Sequence, residues 1–584
     1  MNINMIAPLA CCCLLAATIC HANSADLNYP RPDFRRDAWV SLDGKWDFAF
    51  DDKDAGLSKK WFAGHKLDRK INVPYPYQTK LSSIGETDPH KVVWYSRSFQ
   101  VPAGFAGKRV RLNFGAVDYA VTVWINGKEA GQDEGGYVPM SFDITPFLQD
   151  GDNEVVVRVF DDPTDPAQPR GKQRPAGLNR WHYTHITGIW QPVWLEAVPE
   201  SAIESFKITP RLEPRGADIA VDVSGGSEVK ASVLRDGKKI TVASASVVNK
   251  HAKLSISMPD AELWSPDNPA LYDLSLEVLQ NEMPVDKVQS YFGIRTISID
   301  GNKILLNNKP VWLNMALVQG YWPDGLLTPP SPEDYVKDIQ WCKELGLNGI
   351  RMHQKVEDPR FLYLCDKMGL LVWGEMANAA EGHFSERAVN IANAVWERAI
   401  KRDYNHPCIM TWTYCNEWWM HTGKEANQIM SYAKAYQLLK SLDPTRPVID
   451  NSGYLHVTTD IYDLHGHSNE EIISWASGTL DTEPSWPLMP IADNSYHGEP
   501  IVRSEWVQND FDKPDEAWYE GYAKNVVDTA RSGFICGQCY VQLNDIETEL
   551  NGYMTYDRKW KVDVKRIADI HAKATRIYEE GLKK

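Results

Sequence analysis

The sequence changes rhythm once, near residue 298, and so predicts two β-sandwiches followed by a (β/α)8 barrel. Three observations carry that prediction. Residues 25–200 read as short strands broken by Gly, Pro, Asn and Asp. Residues 201–297 keep the alternation over the length of an immunoglobulin-like sandwich. Within 298–584, apolar strands alternate with amphipathic helices, the rhythm of a closed parallel barrel. A chain of 584 residues is too long for one core, which agrees with several domains. With 22 Trp and 43% hydrophobic residues it is a globular chain. A formal charge of −16 argues against nucleic acid and anionic membrane as partners, since both need basic surfaces.

The chain begins with "MNINMIAPLACCCLLAATICHANSAD", apolar from Met5 to Cys20 and then rich in small residues. We read residues 1–24 as a signal peptide, which directs the protein to the periplasm or outside a bacterial cell. An apolar run of about 16 residues is short for a membrane span. Four of the ten Cys lie in this leader. Cys536 and Cys539 form a C-x-x-C inside a strand, where residues three apart face opposite ways, so buried thiols are expected there rather than a metal site or a disulfide.

In the first sandwich "VVWYSRSFQVP", "RVRLNFGAV", "YAVTVWING" and "NEVVVRVF" alternate apolar and polar residues, and "NGKEAG" supplies a hairpin turn. "IAVDVSG", "KASVLRDGKKI" and "YDLSLEVLQ" do the same in the second. Barrel strand one is "KPVWLNMALVQG", followed by a helix, "SPEDYVKDIQWCKELG", with Ser331 as N-cap and Glu333 in its first turn. Strands two to four are "NGIRMH", "LLVWGEM" and "CIMTWTYCNE"; "PVIDNSG", "DIYDLHGH", "PIVRSEW" and "FICGQCYVQLND" are five to eight. No helix is evident after strand five, and 468–499 is a long irregular excursion.

Barrel chemistry sits at the C-terminal ends of the strands. Glu417 ends strand four and Glu505 ends strand seven, so both carboxylates face one mouth. Such a pair suits glycoside hydrolysis, in which one group protonates the departing oxygen and the other attacks the anomeric carbon or activates water. Trp418, Trp419 and Trp506 stand beside them; an apolar setting is expected to raise the pKa of the acid, and aromatic faces stack on sugar rings.

"TWTYCNEWW" and "PIVRSEW" resemble the acid/base and nucleophile motifs of glycoside hydrolase family 2, the β-galactosidase, β-glucuronidase and β-mannosidase group. "LDGKWDF", "VWYSRSFQVP" and "THITGIWQPVWLE" resemble that family's jelly-roll sugar-binding domain, "YFGIRTISIDGNKILLNNKPVWLN" its approach to the barrel, and "LNGYMTYDRKWK" its last barrel segment. The resemblance implies a jelly roll over 25–200, an immunoglobulin-like domain over 201–297 and a TIM barrel over 298–584. It implies Glu417 as general acid/base, Glu505 as nucleophile and Asn416 as partner of the sugar 2-hydroxyl. Arg351 and His353, at the end of strand two, are candidates for sugar hydroxyls or for a structural ion pair. Strand six ends in His465 and His467, where the family usually places a tyrosine that supports the nucleophile; His467 is the candidate for that place. Tyr540 is a candidate aromatic floor, with core packing as its alternative. Asp161 and Asp162, in "VFDDPTDPAQPRGKQ", lie in a Pro-rich loop for which ordinary solvation is the expectation.

The residues before Gly552, "ETELN", are acidic and lack the Asn-x-Lys that family β-glucuronidases carry there. The expected substrate is therefore a terminal neutral sugar, β-galactoside first, with α-L-arabinopyranoside, then β-mannoside, and the disfavoured β-glucuronide as alternatives. No cofactor and no metal ligand set is expected. A non-catalytic carbohydrate-binding protein and a transglycosylase are the rival classes.

Overall fold

The computed structural model describes residues 27–175, 177–380, 384–418, 425–453, 456–466, 471, 472, 474, 496–508 and 511–583. The leader, Trp419, His467 and most of the 468–499 excursion lie outside the described residues.

The N-terminal sandwich pairs a four-stranded sheet (Trp39–Ser41, Val193–Val198, Arg109–Phe114, Met140–Asp143) with a six-stranded one that includes Gly44–Phe50, Val92–Gln100, Asp152–Phe160 and Ala120–Ile125. Period-two alternation sends Phe48, Val93, Tyr95, Leu112, Phe114, Val121, Val157 and Leu195 inward to one core. The second sandwich packs sheets of three and four strands around Ile208, Ile219, Val229, Leu254 and Leu276. Arg36 clamps the two sandwiches together, reaching Glu196 Oε1 in the first at 2.5 Å and Asp286 Oδ2 in the second at 2.8 Å.

The barrel strands are β1 (Leu313–Val318), β2 (Gly349–Met352), β3 (Leu371–Glu375), β4 (Ile409–Thr413), β5 (Val448–Ile449), β6 (Tyr462–His465), β7 (Ile501–Trp506) and β8 (Ile535–Tyr540). They pair in parallel in the order β5-β4-β3-β2-β1-β8-β7-β6. Among the described residues an isolated parallel bridge from Gly453 to Leu464 spans the gap between β5 and β6. The helices are α1 (Pro332–Glu344), α2 (Pro359–Met368), α3 (Glu386–Asp403), α4 (Glu425–Leu442), α5 (Glu516–Arg531) and α6 (Val564–Gly581). The start of α1 is fixed by a capping box, in which Ser331 N donates to Asp334 Oδ2 at 3.1 Å. Among the described residues no helix follows β5, where the chain turns directly into β6.

Both sandwiches rest on the barrel. Trp264 Nε1 donates to the Asp366 carbonyl at 2.7 Å from the second, and Arg398 on α3 holds Asp133 of the first at 2.7 Å. The six cysteines outside the leader are buried free thiols. No helix of the described residues is long and apolar enough to cross a membrane.

Candidate active site

β4 stops at Thr413, and the chain runs on through Asn416, which bridges Ser452, to Glu417. Glu417 has φ of +44°, a left-handed backbone that costs a non-glycine residue roughly 1–3 kcal/mol. Two hydrogen bonds hold it there: Glu417 N donates to the Ser452 carbonyl at 2.9 Å, and Trp418 N donates to Asn451 Oδ1 at 2.9 Å. The kink turns the Glu417 side chain into the barrel mouth and drops Trp418 into the core against Phe384 and Tyr414.

Glu505 projects from β7 into the same mouth. Its Oε1 accepts from Arg351 Nη1 at 3.1 Å, with His353 Nδ1 at 3.7 Å. His465, at the tip of β6, stands between the two carboxylates. Its Nδ1 lies 2.7 Å from Glu417 Oε1, and its Nε2 lies 3.6 Å from Glu505 Oε1. One oxygen of Glu417, one nitrogen of His465 and one oxygen of Glu505 all fall within 4.8 Å of one another. Such a set could also take a metal ion. The other such cluster among the described residues, Asp366, His406 and Cys408, is fully buried, and its carboxylate already accepts from Tyr291, His406 and the Cys408 amide.

A buried cation organises the floor. Arg351 is wholly inaccessible and donates to Glu375 Oε2 through Nε (2.9 Å) and Nη2 (2.8 Å), and to Asn416 Oδ1 through Nη2 (2.6 Å). Removing one partner of such a network strands the other charge, which costs about 3–5 kcal/mol. Burial raises the Glu375 carboxyl above its ordinary value, and Arg351 offsets that only in part. Below, Asp463 accepts from Ser452 and Ser504, tying β6 to β7.

The electrostatics differ from the sequence expectation. Burial alone would raise the pKa of Glu417. The hydrogen bond and charge of His465, followed by the charges of Lys172 and His353, outweigh burial and bring it down to about 2. His465 moves the other way: burial lowers it, but Glu505 and Glu417 together raise it above 6.5. The expectation that flanking tryptophans raise the acid is thus corrected, because charged neighbours dominate and Trp418 packs elsewhere.

The mouth opens into a cavity of about 800 Å³. Its inner wall is built from strand ends: Leu317, Gln319, His353, Asn378, Asn416, Glu417, His465, Glu505 and Trp506. Its outer wall comes from the N-terminal sandwich. The loop expected to be solvated instead crosses to the barrel, where Arg170 N and Gly171 N both donate to the Asn378 carbonyl at 2.7 and 3.0 Å. It then places Lys172, Arg174, Asn179, Trp181 and His182 along the cavity. Asp161 is buried at the root of this loop, bonded by His185 at 2.7 Å and Thr187 at 2.6 Å. Asp162 caps the neighbouring turn through Thr164.

Of the predicted residues, Glu417, Glu505, Asn416, His353 and Trp506 line the cavity. Arg351 lies beneath it and acts through Glu505 and Asn416. Tyr540 is also beneath it, fully buried, with its hydroxyl donating to the Asn551 carbonyl at 3.0 Å and its ring stacked on Tyr553; the core-packing alternative describes it. His465, two residues before the chosen His467, is the histidine between the glutamates. Period-two alternation puts 465 and 467 on one face and cannot choose between them. Sequence reasoning passes over Glu375, although "LLVWGE" ends its strand in a carboxylate on the side of the barrel where Glu417 and Glu505 lie. The outer wall was missed because a Pro-rich loop carries no periodic signal.

A parallel barrel with paired carboxylates in its mouth, fronted by two β-sandwiches, defines a class of multidomain carbohydrate-processing architecture. Family models make the assignment specific: the glycosyl hydrolases family 2 sugar-binding domain matches residues 39–168, the family 2 middle domain 201–295 and the family 2 TIM barrel domain 297–512. The chain belongs to glycosyl hydrolases family 2. It is 28% identical over 386 residues to a β-galactosidase of Thermoanaerobacter pseudethanolicus, covering 62% of this chain and 49% of that one. It is 24% identical over 455 residues to a β-glucuronidase of Paenibacillus borealis, covering 72% and 74%. The chain spans half or less of the length of several curated relatives it matches, 44%, 49% and 34% in three of them. The β-glucuronidase of Ruminococcus gnavus, solved with D-glucuronic acid, has the same fold, with a TM-score of 0.76 at 22% identity over 92% of this chain and 98% of that one.

Proposed function

We propose that this chain is a retaining exo-β-glycosidase that releases terminal neutral sugars, β-galactosides first, by a two-glutamate covalent mechanism. The observation that carries the reading is the approach of Glu417 and Glu505 oxygens to within 4.8 Å. Retaining glycosidases hold their carboxyls about 5–5.5 Å apart, whereas inverting ones need about 6.5–9.5 Å to admit water between them. Glu505 is the nucleophile. Arg351 orients it through the 3.1 Å contact to Oε1, with His353 alongside. Glu417 is the acid/base. In the free enzyme its proton resides on His465, and the 2.7 Å contact is the path by which Glu417 regains it as the glycosidic oxygen arrives. Because Arg351 occupies Asn416 Oδ1, the amide NH2 of Asn416 is what remains for the sugar 2-hydroxyl.

The neutral-sugar choice rests on the segment after β8. It presents Glu549 and Asn551 to the cavity, while Lys561 is turned to Asp545 at 2.9 Å. A uronate there would meet a carboxylate. One observation favours a second reading, β-glucuronidase: Lys172 and Arg174 lie in the cavity wall, and relatives carry that name. The apolar leader supports action outside the cytoplasm. The deciding experiment is hydrolysis of aryl β-galactoside, α-L-arabinopyranoside, β-mannoside, β-glucoside and β-glucuronide by the wild type, Glu417→Gln and Glu505→Gln. Cleavage of one neutral sugar, lost in both variants, supports the reading. Dominant β-glucuronide cleavage replaces the substrate. No cleavage, together with no fluorosugar labelling of Glu505, favours a carbohydrate-binding protein.

A further inference from the structure

The cavity has two chemically different walls. The inner one carries Glu417, Glu505 and Glu549. The outer one carries Lys172, Arg174 and His182, with the indole of Trp181 about half exposed at its rim and the Arg180 guanidinium 4.6 Å from that ring. In a chain of net charge −16, this clustering of cationic and aromatic groups in the cavity is a local reversal of the average surface.

This wall is held in place. Gly171 has φ of +57°, and an added Cβ would lie 2.5 Å from the Gln354 carbonyl, so the chain meets the barrel here with no room for a side chain. Gln173, the next residue but one, donates to Asp118 Oδ2 at 2.9 Å and Tyr137 Oη at 2.7 Å and accepts from Ile186 N at 2.7 Å. Lys172 sits between these anchors, and its carbonyl accepts from Tyr183 N at 2.8 Å. At the far end, Thr548 Oγ1 donates to the Asn179 carbonyl at 2.7 Å.

Which part of a substrate meets this wall follows from the roles proposed above, and the inference rests on that reading. The terminal sugar lies over Glu505 among the inner residues. The oxygen protonated by Glu417 marks the start of the departing saccharide, which must extend from there toward solvent, along the outer wall. We propose that Lys172, with Arg174 and Trp181, forms a leaving-group subsite for an acidic saccharide, one bearing a carboxylate or sulfate ester. The cations pair with the anionic group and the indole stacks on the ring; cation and aromatic face together are suited to a planar-faced, charged sugar. The substrate class is then a neutral terminal sugar linked to an acidic residue, and the enzyme exposes acidic ends for a lyase or uronidase class of reaction.

The test uses the full-length protein and two measurements. In the first, calorimetry compares a diuronate, a sulfated galactobiose and unmodified galactobiose as ligands of the wild type, Lys172→Ala and Lys172→Arg. The expected result is at least tenfold tighter binding of an acidic ligand than of the neutral one, a preference lost in Lys172→Ala and restored in Lys172→Arg. The stronger acidic ligand tells carboxylate from sulfate. In the second, kcat/KM is compared for β-galactosyl-uronate and β-galactosyl-glucose, and the ratio falls tenfold or more in Lys172→Ala. Equal binding of acidic and neutral ligands by the wild type overturns the inference, as does a preference that survives Lys172→Ala combined with Arg174→Ala. A Lys172-dependent preference for aryl β-glucuronide also overturns it, by moving the anion to the terminal sugar. If the acidic preference is present but no β-galactoside is cleaved, the terminal-sugar reading fails and the subsite stands. If galactosides are cleaved without that preference, the reverse holds.

Discussion

The inner and outer walls of one cavity are built by opposite means. The inner wall is made of strand ends whose positions follow from barrel geometry, locked by a buried ion network around Arg351. The outer wall is a loop excursion from another domain, seated by a glycine contact, an Asn378 carbonyl and a few side-chain anchors. The first is rigid because removing any charge strands another. The second is held by several separate, modest interactions, none of whose loss strands a buried charge. In the proposed function the barrel carries the reaction chemistry and the sandwich the discrimination among substrates.

That division is broken most directly at the glutamates. Glu505→Gln should lower kcat/KM by about 10⁴-fold or more, since no nucleophile remains. Glu417→Gln should lose about 10²–10⁴-fold on substrates with poor leaving groups. It should lose far less on a dinitrophenyl glycoside, whose leaving group needs no proton. Equal losses on both substrates would remove Glu417 from the acid role.

The next largest effect concerns stability. Arg351→Met leaves Glu375 and Glu505 without their cation and should destabilise the fold by about 3–5 kcal/mol. The sign with pH is definite. In the variant the buried Glu375 has a folded pKa raised further above its unfolded value of 4.5, so its ionised form opposes folding. The deficit should therefore be smallest in acid and grow as pH rises through that range. Melting curves at several pH values check this; a pH-independent deficit would mean that packing, not charge, is what Arg351 supplies.

These residues also show what could be read from sequence. The barrel, both sandwiches and the glutamates at β4 and β7 were legible because strand alternation and strand ends leave a periodic trace. Glu375 left the same trace in "LLVWGE". His465 and His467 could not be separated, since only the three-dimensional course after β6 decides which reaches the glutamates. Lys172 and Arg174 were illegible for a different reason: the loop from Asp161 takes its shape from contacts with Asn378, Glu547 and Glu549, all more than 200 residues away. The depressed Glu417 likewise depends on His465, 48 residues distant, and not on its tryptophan neighbours.

A sharper view of the inner wall comes from His465→Gln, which keeps a hydrogen bond but cannot store a proton. In the native enzyme the proton shared by the Glu417–His465 pair leaves as pH rises through the raised value of His465, above 6.5. In the variant it leaves Glu417 itself, a carboxyl. The basic limb of the kcat/KM profile should move to lower pH, with roughly 10–10²-fold lost at pH 7. A limb that stays in place would show that the proton is not held on this pair.

The smallest effect probes the outer wall. Gly171→Ala forces a Cβ at φ of +57° to within 2.5 Å of the Gln354 carbonyl, so the loop must lift or the barrel backbone must shift. The loop is joined to the barrel by separate hydrogen bonds rather than by sheet pairing, so lifting is the cheaper response, and the strain is about 1–3 kcal/mol. Lifting carries Lys172 and its neighbours away from the cavity while Glu417, Glu505 and Arg351 keep their contacts. KM for disaccharides should rise several-fold, a larger change than any in kcat, with the melting temperature lowered by a few degrees. A fall in kcat instead would mean that the two walls are mechanically coupled and that the sandwich takes part in positioning the acid.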